Sequence, residues 1–159
     1  ISINSYSYMI AILASGDGSN VERIVSSLPH KFIVFTNNAK AGVIERCKRI
    51  GVSCHLIDNS NLFHHFKEFN VEFIILAGYL KLIPKEVIEN YSKKIINVHP
   101  SLLPKFGGKG MWGLNVHKAV ISSGESETGI TIHYVSEKYD EGEIIAQFKC
   151  PVFKSDTPE

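Results

Sequence analysis

Cysteine is scarce in this chain: Cys47, Cys54 and Cys150 are the only three, and no two form a C-x-x-C pair. A sparse, odd set excludes a disulfide framework and leads us to expect reduced thiols and a cytoplasmic setting. Charge of one sign is lacking too. The 17 Lys and Arg residues stand against 16 Asp and Glu, for a formal net charge of +1. That balance offers no basic patch for nucleic acid or an anionic membrane surface. No apolar run approaches the roughly 18 residues that a membrane span needs. The first residues lack the basic and apolar segments of a secretory leader, so none is expected. There is no H-E-x-x-H pair of metal-binding histidines. The remainder is ordinary for a globular domain, with 44% hydrophobic and 21% charged residues. A chain of this size buries roughly 68–70% of its unfolded surface and sustains a core without staples.

Strand and helix periods alternate along the chain. An apolar run at 8–14 leads into Ser15-Gly16-Asp17-Gly18-Ser19-Asn20. Val21, Ile24, Val25 and Leu28 then recur at helical spacing. Ser19 and Glu22 have the spacing of a capping box. Further strands are expected at 31–36, 52–57 (near an edge), 72–78 and 95–98. Helices are expected around Val43 to Ile50, closed by Gly51, around Leu62 to Phe69, and around Val87 to Tyr91. Strands alternating with helices imply parallel βαβ units. After Pro104 the pattern changes to a glycine-rich loop at 106–113 and a helix around Val116 to Val120. Two strands at 128–135 and 143–150 follow, joined by an acidic turn at 137–142. So close a pair is expected to run antiparallel. Asp156-Thr157-Pro158 reads as a cap with proline at the first helical position. We therefore expect a fragment whose carboxyl-terminal helix is missing.

Asn97 and His99 end the fifth strand and share one face of it, since strand side chains alternate. Pro100 stops the strand because it has no N–H to donate. Open α/β sheets bind ligands beyond the carboxyl ends of their strands. An amide donor and a titratable ring at such a place can attend a carbonyl that becomes tetrahedral. A packing histidine fits the same position. The Gly16 to Asn20 turn places backbone N–H groups at a helix start, which suits a phosphate. A tight, capped βα turn would read the same way, and Val21 breaks the dinucleotide pattern G-x-G-x-x-G. Asp140 alone is a turn aspartate. His133 alternates with Ile132 and Tyr134 and could face the same crevice, while His64 and His65 read as a half-exposed helix face. A metal site would need His99, His117, His133 and Asp140 to converge, and their spacing does not favour it. Trp112 in the glycine-rich loop suits either a ligand cover or a plug against the core.

Taken together, these residues resemble the glycinamide ribonucleotide formyltransferase family of purine biosynthesis. The resemblance runs nearly end to end. It rests on the turn Gly18, Ser19 and Asn20, the strand end at 76–79, and the stretch from Asn97 and His99 to Pro104. Residues 128–133 and 139–142 extend it. The Asn-x-His-x-Ser-x-Leu-Pro stretch is shared by folate-dependent formyltransferases, and the Gly-Ser-Asn turn points to the ribonucleotide branch.

The resemblance implies a single α/β domain over residues 1–159, a three-layer, doubly wound, mostly parallel sheet of Rossmann-like kind. A ribonucleotide-binding half would span 1–99 and a folate-binding half 100–159. It implies formyl transfer from 10-formyltetrahydrofolate, a co-substrate, to the amine of glycinamide ribonucleotide, without a metal. A formyltetrahydrofolate hydrolase and a non-catalytic phosphometabolite-binding module are the alternatives. Asn97, His99 and Asp140 would be catalytic, with Asp140 holding the charged ring of His99. Gly18, Ser19 and Asn20 would hold the ribonucleotide phosphate. Leu80, Lys81, Leu82 and Ile83 would line the folate site, with Asn97 and with Ser136, Glu137, Lys138, Tyr139 and Asp140 around the pteridine. The partners would be these small molecules, neither nucleic acid nor membrane, and the protein a monomer or homodimer. The chain departs from the family in a longer loop at 106–115. It also lacks a clear arginine between Asn59 and Asn70 for the folate tail.

Overall fold

Alternate burial on the central strands sets the layering. In the strand β1 (Met9–Leu13), Ala11 and Leu13 face one core and Ile10 and Ile12 the other, all of them buried. Both faces of the sheet must therefore be covered, which is why these segments read as near-continuous apolar runs. The computed structural model describes residues 8–159. The first seven, on which part of the reading of the amino-terminal start rests, lie outside the described residues.

The elements follow in order: β1, α1 (Ser19–Ser27), β2 (Lys31–Thr36), α2 (Val43–Ile50), β3 (Cys54–Leu56), a short 3-10 turn at Asn59–Asn61, α3 (Leu62–Glu68), β4 (Phe73–Leu76), α4 (Lys85–Asn90) and β5 (Ile95–His99). After them come α5 (Leu114–Ser122), β6 (Glu127–Tyr134) and β7 (Ile144–Pro151). The seven strands form one sheet in the order β3-β2-β1-β4-β5-β6-β7. Pairing is parallel from β3 to β5 and antiparallel for β5 with β6 and β6 with β7. The α/β, doubly wound, mostly parallel sheet expected above is the observed one, with β3 at the edge.

One face carries Val21 of α1 and Val43 and Cys47 of α2 against Ile10, Ile12, Val34 and Ile75. The other carries Leu62 and Phe66 of α3 and Val87 of α4 against Leu13, Phe35 and Ile74. Burying each such aliphatic or aromatic side chain is worth roughly 1.5–3 kcal/mol. No helix among the described residues is long and apolar enough to cross a membrane.

The start of α1 differs from the expected capping box. Ser19 is already helical, Gly18 takes the cap position at φ 78°, and Asp17 Oδ1 accepts from the Ser19 N–H and hydroxyl at 3.3 Å. Glu22 is drawn away to Arg46 and Arg49 by their charge. At the other end, residues 152–159 hold a turn in which the Asp156 N–H donates to the Phe153 carbonyl at 3.0 Å, not the first turn of a helix.

Strand order reverses between the parallel neighbours β1 and β4, from which the sheet is wound outward on both sides. Side chains and loops at this switch point leave a crevice at the carboxyl ends of the strands. Ser15 stitches its floor. Its N–H donates to the Gly78 carbonyl at 3.0 Å, and its hydroxyl donates to Asn37 Oδ1 at 2.6 Å and accepts from the Leu80 N–H at 3.1 Å.

Candidate active site

A cleft of about 840 Å³ opens at this switch point. One stretch of its wall is the turn Gly16, Asp17, Gly18, Ser19 and Asn20, and another includes Leu80 to Ile83, Asn97, His99, His133 and Asp140. The glycine-rich segment from Gly108 to Gly113 and His117 line the cleft as well.

The side-chain cluster follows from strand geometry. Asn97 and His99 share a face of β5, and antiparallel pairing sets His133 opposite Asn97 and Thr131 opposite His99. His99 and His133 are buried, at 3% and 2% exposure. Asp140 arrives from the acidic turn in a left-handed conformation, φ 56°. Gly142 lets that turn close, since a Cβ there would overlap the Tyr134 carbonyl.

Asp140 Oδ1 is the point of convergence. Asn97 Nδ2 donates to it at 3.3 Å, His99 Nδ1 lies 3.3 Å away and His133 Nε2 3.6 Å away. The second oxygen, Oδ2, accepts from the Gly108 N–H at 2.9 Å. Burial alone would raise the Asp140 carboxyl. The His99 ring and the Gly108 N–H overcome it and hold the carboxyl well below the usual carboxylate range. Of these contacts, the distances support hydrogen bonds from His99 and Gly108, whereas His133 is too far for a strong one.

The partners of each ring assign its protons. His99 Nε2 lies 2.8 Å from the Phe106 carbonyl, and Nδ1 faces the carboxylate. Both partners can only accept, so the geometry suits a ring carrying two N–H groups. His133 Nδ1 donates to the Tyr134 carbonyl at 2.8 Å. Its Nε2 is then left to accept from Asn97 Nδ2 at 3.0 Å, which fixes the Asn97 amide with its nitrogen on the side of His133 and Asp140.

Beneath the cluster, Thr131 Oγ1 donates to the Ser101 carbonyl at 2.6 Å and accepts from the Leu103 N–H at 3.0 Å. Ser101 Oγ donates to the Lys105 carbonyl at 2.7 Å. These buried bonds fix the chain after β5 and so fix the Phe106 carbonyl under His99.

Asn97, His99 and Asp140 are thus brought together, and Gly18, Ser19 and Asn20 line the same cleft. Leu80, Lys81, Leu82, Ile83, Ser136, Lys138 and Tyr139 line it as well, with Leu80 and Leu82 exposed there at 39% and 42%. Glu137 is the exception: it is not in the lining, and its carboxylate lies 3.9 Å from Lys85 Nζ. Trp112 is 52% exposed along the cleft and does not plug the core. His99, His133 and Asp140 do converge, with His117 in the same cleft. No group of three or more such side chains has metal-ligand geometry among the described residues.

Sequence reasoning missed the Gly108 N–H, the Phe106 carbonyl and the tie of His133 to Asn97. The first two are backbone groups and leave no residue-type signal. The third needs the antiparallel pairing of β5 with β6, which places His133 opposite Asn97; the sequence pattern pairs the last two strands only with each other.

Residues 8–159 match the family model described as Formyl transferase. Among curated proteins the chain is 38% identical to the chloroplastic phosphoribosylglycinamide formyltransferase of Arabidopsis thaliana, over 94% of this chain and 57% of that one. It is 30% identical to the phosphoribosylglycinamide formyltransferase of Escherichia coli K12, over 94% of this chain and 76% of that one. The crystal structure of phosphoribosylglycinamide formyltransferase from Streptococcus pneumoniae superposes with a TM-score of 0.85 at 30% identity, covering 95% of this chain and 86% of that one. The chain spans little more than half the length of the plant relatives it matches.

Proposed function

Because this chain belongs to the formyl transferase family, we propose that it transfers a formyl group from 10-formyltetrahydrofolate to the primary amine of glycinamide ribonucleotide, in the cytoplasm, as a step of purine biosynthesis. The observation that carries the reading is the meeting of Asn97, His99 and Asp140 in one cleft with the Gly18 turn. It is supported by relatives named phosphoribosylglycinamide formyltransferase.

The ribonucleotide phosphate lies on the N–H groups of Gly18, Ser19 and Asn20, where a helix start favours an anion. The folate packs against Leu80, Leu82, Ile83 and Tyr139, an apolar and partly exposed surface suited to a flat heterocycle and its linker. Ser136 and Lys138 stand beside it.

When the amine attacks the formyl carbon, negative charge grows on the formyl oxygen. Asn97 Nδ2 and His99 Nδ1 are the donors for it. Both now reach Asp140 Oδ1 at 3.3 Å, a long bond that an oxygen seated beside the carboxylate can share. Catalytic hydrogen bonds are often long before substrate binds and tighten in the transition state. One such donor is worth about 2.7–4 kcal/mol of barrier. As the bond from the formyl carbon to the folate nitrogen breaks, His99 supplies a proton to that nitrogen and is restored by the proton the attacking amine gives up; such acid catalysis contributes roughly 10²–10⁴-fold. Asp140 keeps the charged ring and the Asn97 amide aimed at one point. The attacking amine must be neutral, so turnover falls in acid.

The test is formyl transfer from 10-formyltetrahydrofolate to glycinamide ribonucleotide, followed optically. Transfer that requires both substrates is expected. Formate release without ribonucleotide would make the chain a hydrolase instead, and ribonucleotide binding with indifference to a folate analogue would make it a binding module.

A further inference from the structure

The turn at 16–18 is held from behind by α2, and one side chain does most of the holding. The Val43 N–H donates to the Gly16 carbonyl at 3.0 Å, and Arg46 Nε donates to the Asp17 carbonyl at 2.8 Å. The fit is tight: a Cβ on Gly18 would overlap the Val43 side chain, and one on Gly42 would lie 3.2 Å from Asp17 Cα. A trans peptide is planar, so each carbonyl points opposite to the N–H of the next residue. Tying the carbonyls of Gly16 and Asp17 to α2 therefore turns the N–H groups of Asp17 and Gly18 away from α2. The cleft lies on that side, and α2 contributes nothing to its lining.

Arg46 has two further arms. Nη2 pairs with Asp17 Oδ2 at 3.2 Å, and Nη1 bonds Glu22 Oε2 in the first turn of α1. One guanidinium thus spans the turn's backbone, the turn's acid and the following helix, three directions that a lysine ammonium on a flexible stem does not reproduce. Its side chain is 24% exposed, against 62% for Arg49, whose guanidinium pairs with Glu22. It also offsets two carboxylates, Asp17 and Glu22, that would otherwise repel an incoming anion.

We infer that Arg46 is a positioning residue for the phosphate group: it aims the Gly18 N–H at the anion and neutralises the acids beside it, without touching the anion itself. That the anion is the ribonucleotide phosphate rests on the function proposed above. The clamp itself does not, and it is tested with inorganic phosphate.

The experiment titrates the isotopically labelled protein with inorganic phosphate and follows the backbone amide of Gly18 by NMR, in the natural chain and in Arg46→Met and Arg46→Lys. The Gly18 amide of the natural chain is expected to shift. In Arg46→Met the apparent Kd rises about tenfold, the loss expected when one charge-assisted hydrogen bond is misaimed. Arg46→Lys falls between the two. In the transfer assay Arg46→Met raises the KM for ribonucleotide by a similar factor, while kcat and the KM for folate stay within about twofold, a split that general loosening of the fold would not give. The inference is overturned if Gly18 ignores phosphate in the natural chain, or if a folded Arg46→Met binds phosphate unchanged. Should Arg46→Met fail to fold, Arg46→Lys with natural affinity overturns it equally. A natural chain that binds phosphate at Gly18 yet transfers no formyl group would sink the proposed function and leave the clamp standing.

Discussion

On the wall formed by residues 16–20, two of five residues are glycines and the backbone is braced by side chains at its edge, Asp17, 71% exposed, and Arg46 on a neighbouring helix; in the function proposed above its backbone amides meet the anion. On the wall formed by β5, β6 and the acidic turn, the groups facing the cleft are side chains. The rings of His99 and His133 are almost wholly buried, and a carboxylate takes bonds from three groups on two segments, Asn97 and His99 of β5 and Gly108 of the glycine-rich loop. The first arrangement suits binding: it offers fixed dipoles to a charge that is the same before and after reaction. The second suits chemistry, since donors held dry beside a carboxylate gain strength where charge develops. Ground-state binding and transition-state stabilisation should therefore separate by wall when each is perturbed.

The largest expected effect lies on the buried wall. His99→Ala removes the charged donor, and Asp140→Asn removes the anion that holds the ring. Each should lower transfer by roughly 10²–10⁴-fold, while the response of the Gly18 amide to phosphate stays as in the natural chain. Turnover near the natural value in either variant would remove that residue from the mechanism. Loss of phosphate response would show that the walls are not separable.

Next in size is Gly18→Ala on the open wall. Gly18 sits at φ 78°, and a Cβ there would meet Val43 Cγ2 and Cβ. The strain should cost roughly 1–3 kcal/mol of stability. It should raise the KM for ribonucleotide far more than it lowers kcat, the reverse of the pattern for His99→Ala. Steady-state kinetics with a thermal unfolding curve would check both.

How far each wall was legible in the sequence follows from its construction. The turn is local, six consecutive residues from Ser15 to Asn20 between an apolar strand and a helical period, so its place could be read directly. Asn97, His99 and Pro100 are local as well, and strand alternation put the two side chains on one face. Asp140 was reached only through resemblance, because nothing in an acidic turn says which strand end it will meet. The parts that escaped are those with no residue-type signature: the Phe106 carbonyl, the Gly108 N–H and the cap role of Asp17, which the Ser19 and Glu22 spacing imitated. The parallel sheet was legible because two covered faces demand continuous apolar strands. The departure of Glu137 from the cleft was not, since a turn residue's direction depends on where Lys85 lies.

A third test probes the buried wall without substrate. The Asp140 carboxyl is more acidic folded than unfolded, so in acid the unfolded chain binds more protons. Its contribution to stability is complete above the ordinary carboxylate range and is lost as the pH falls through that range toward the lower folded value. Asp140→Asn should therefore be less stable than the natural chain near pH 7, with the gap closing below about pH 4. Denaturant unfolding at several pH values measures the gap. One that stays constant down to that pH would mean the carboxylate's charge contributes no stability.

The smallest effect returns to the open wall and separates two things that Arg46 does. Asp17→Asn abolishes the ion pair with Arg46 Nη2 but keeps the Asp17 carbonyl that Arg46 Nε holds at 2.8 Å. The asparagine side chain can still accept from the Ser19 N–H. If backbone aim is what matters, phosphate affinity should be unchanged or up to about threefold tighter, because an exposed negative charge beside the anion is gone and exposed charges interact weakly in water. The gain should shrink as salt is added. Weakening as large as in Arg46→Met would instead place the guanidinium's effect in the Asp17 carboxylate, and the wall described as built from backbone would depend on a side chain after all.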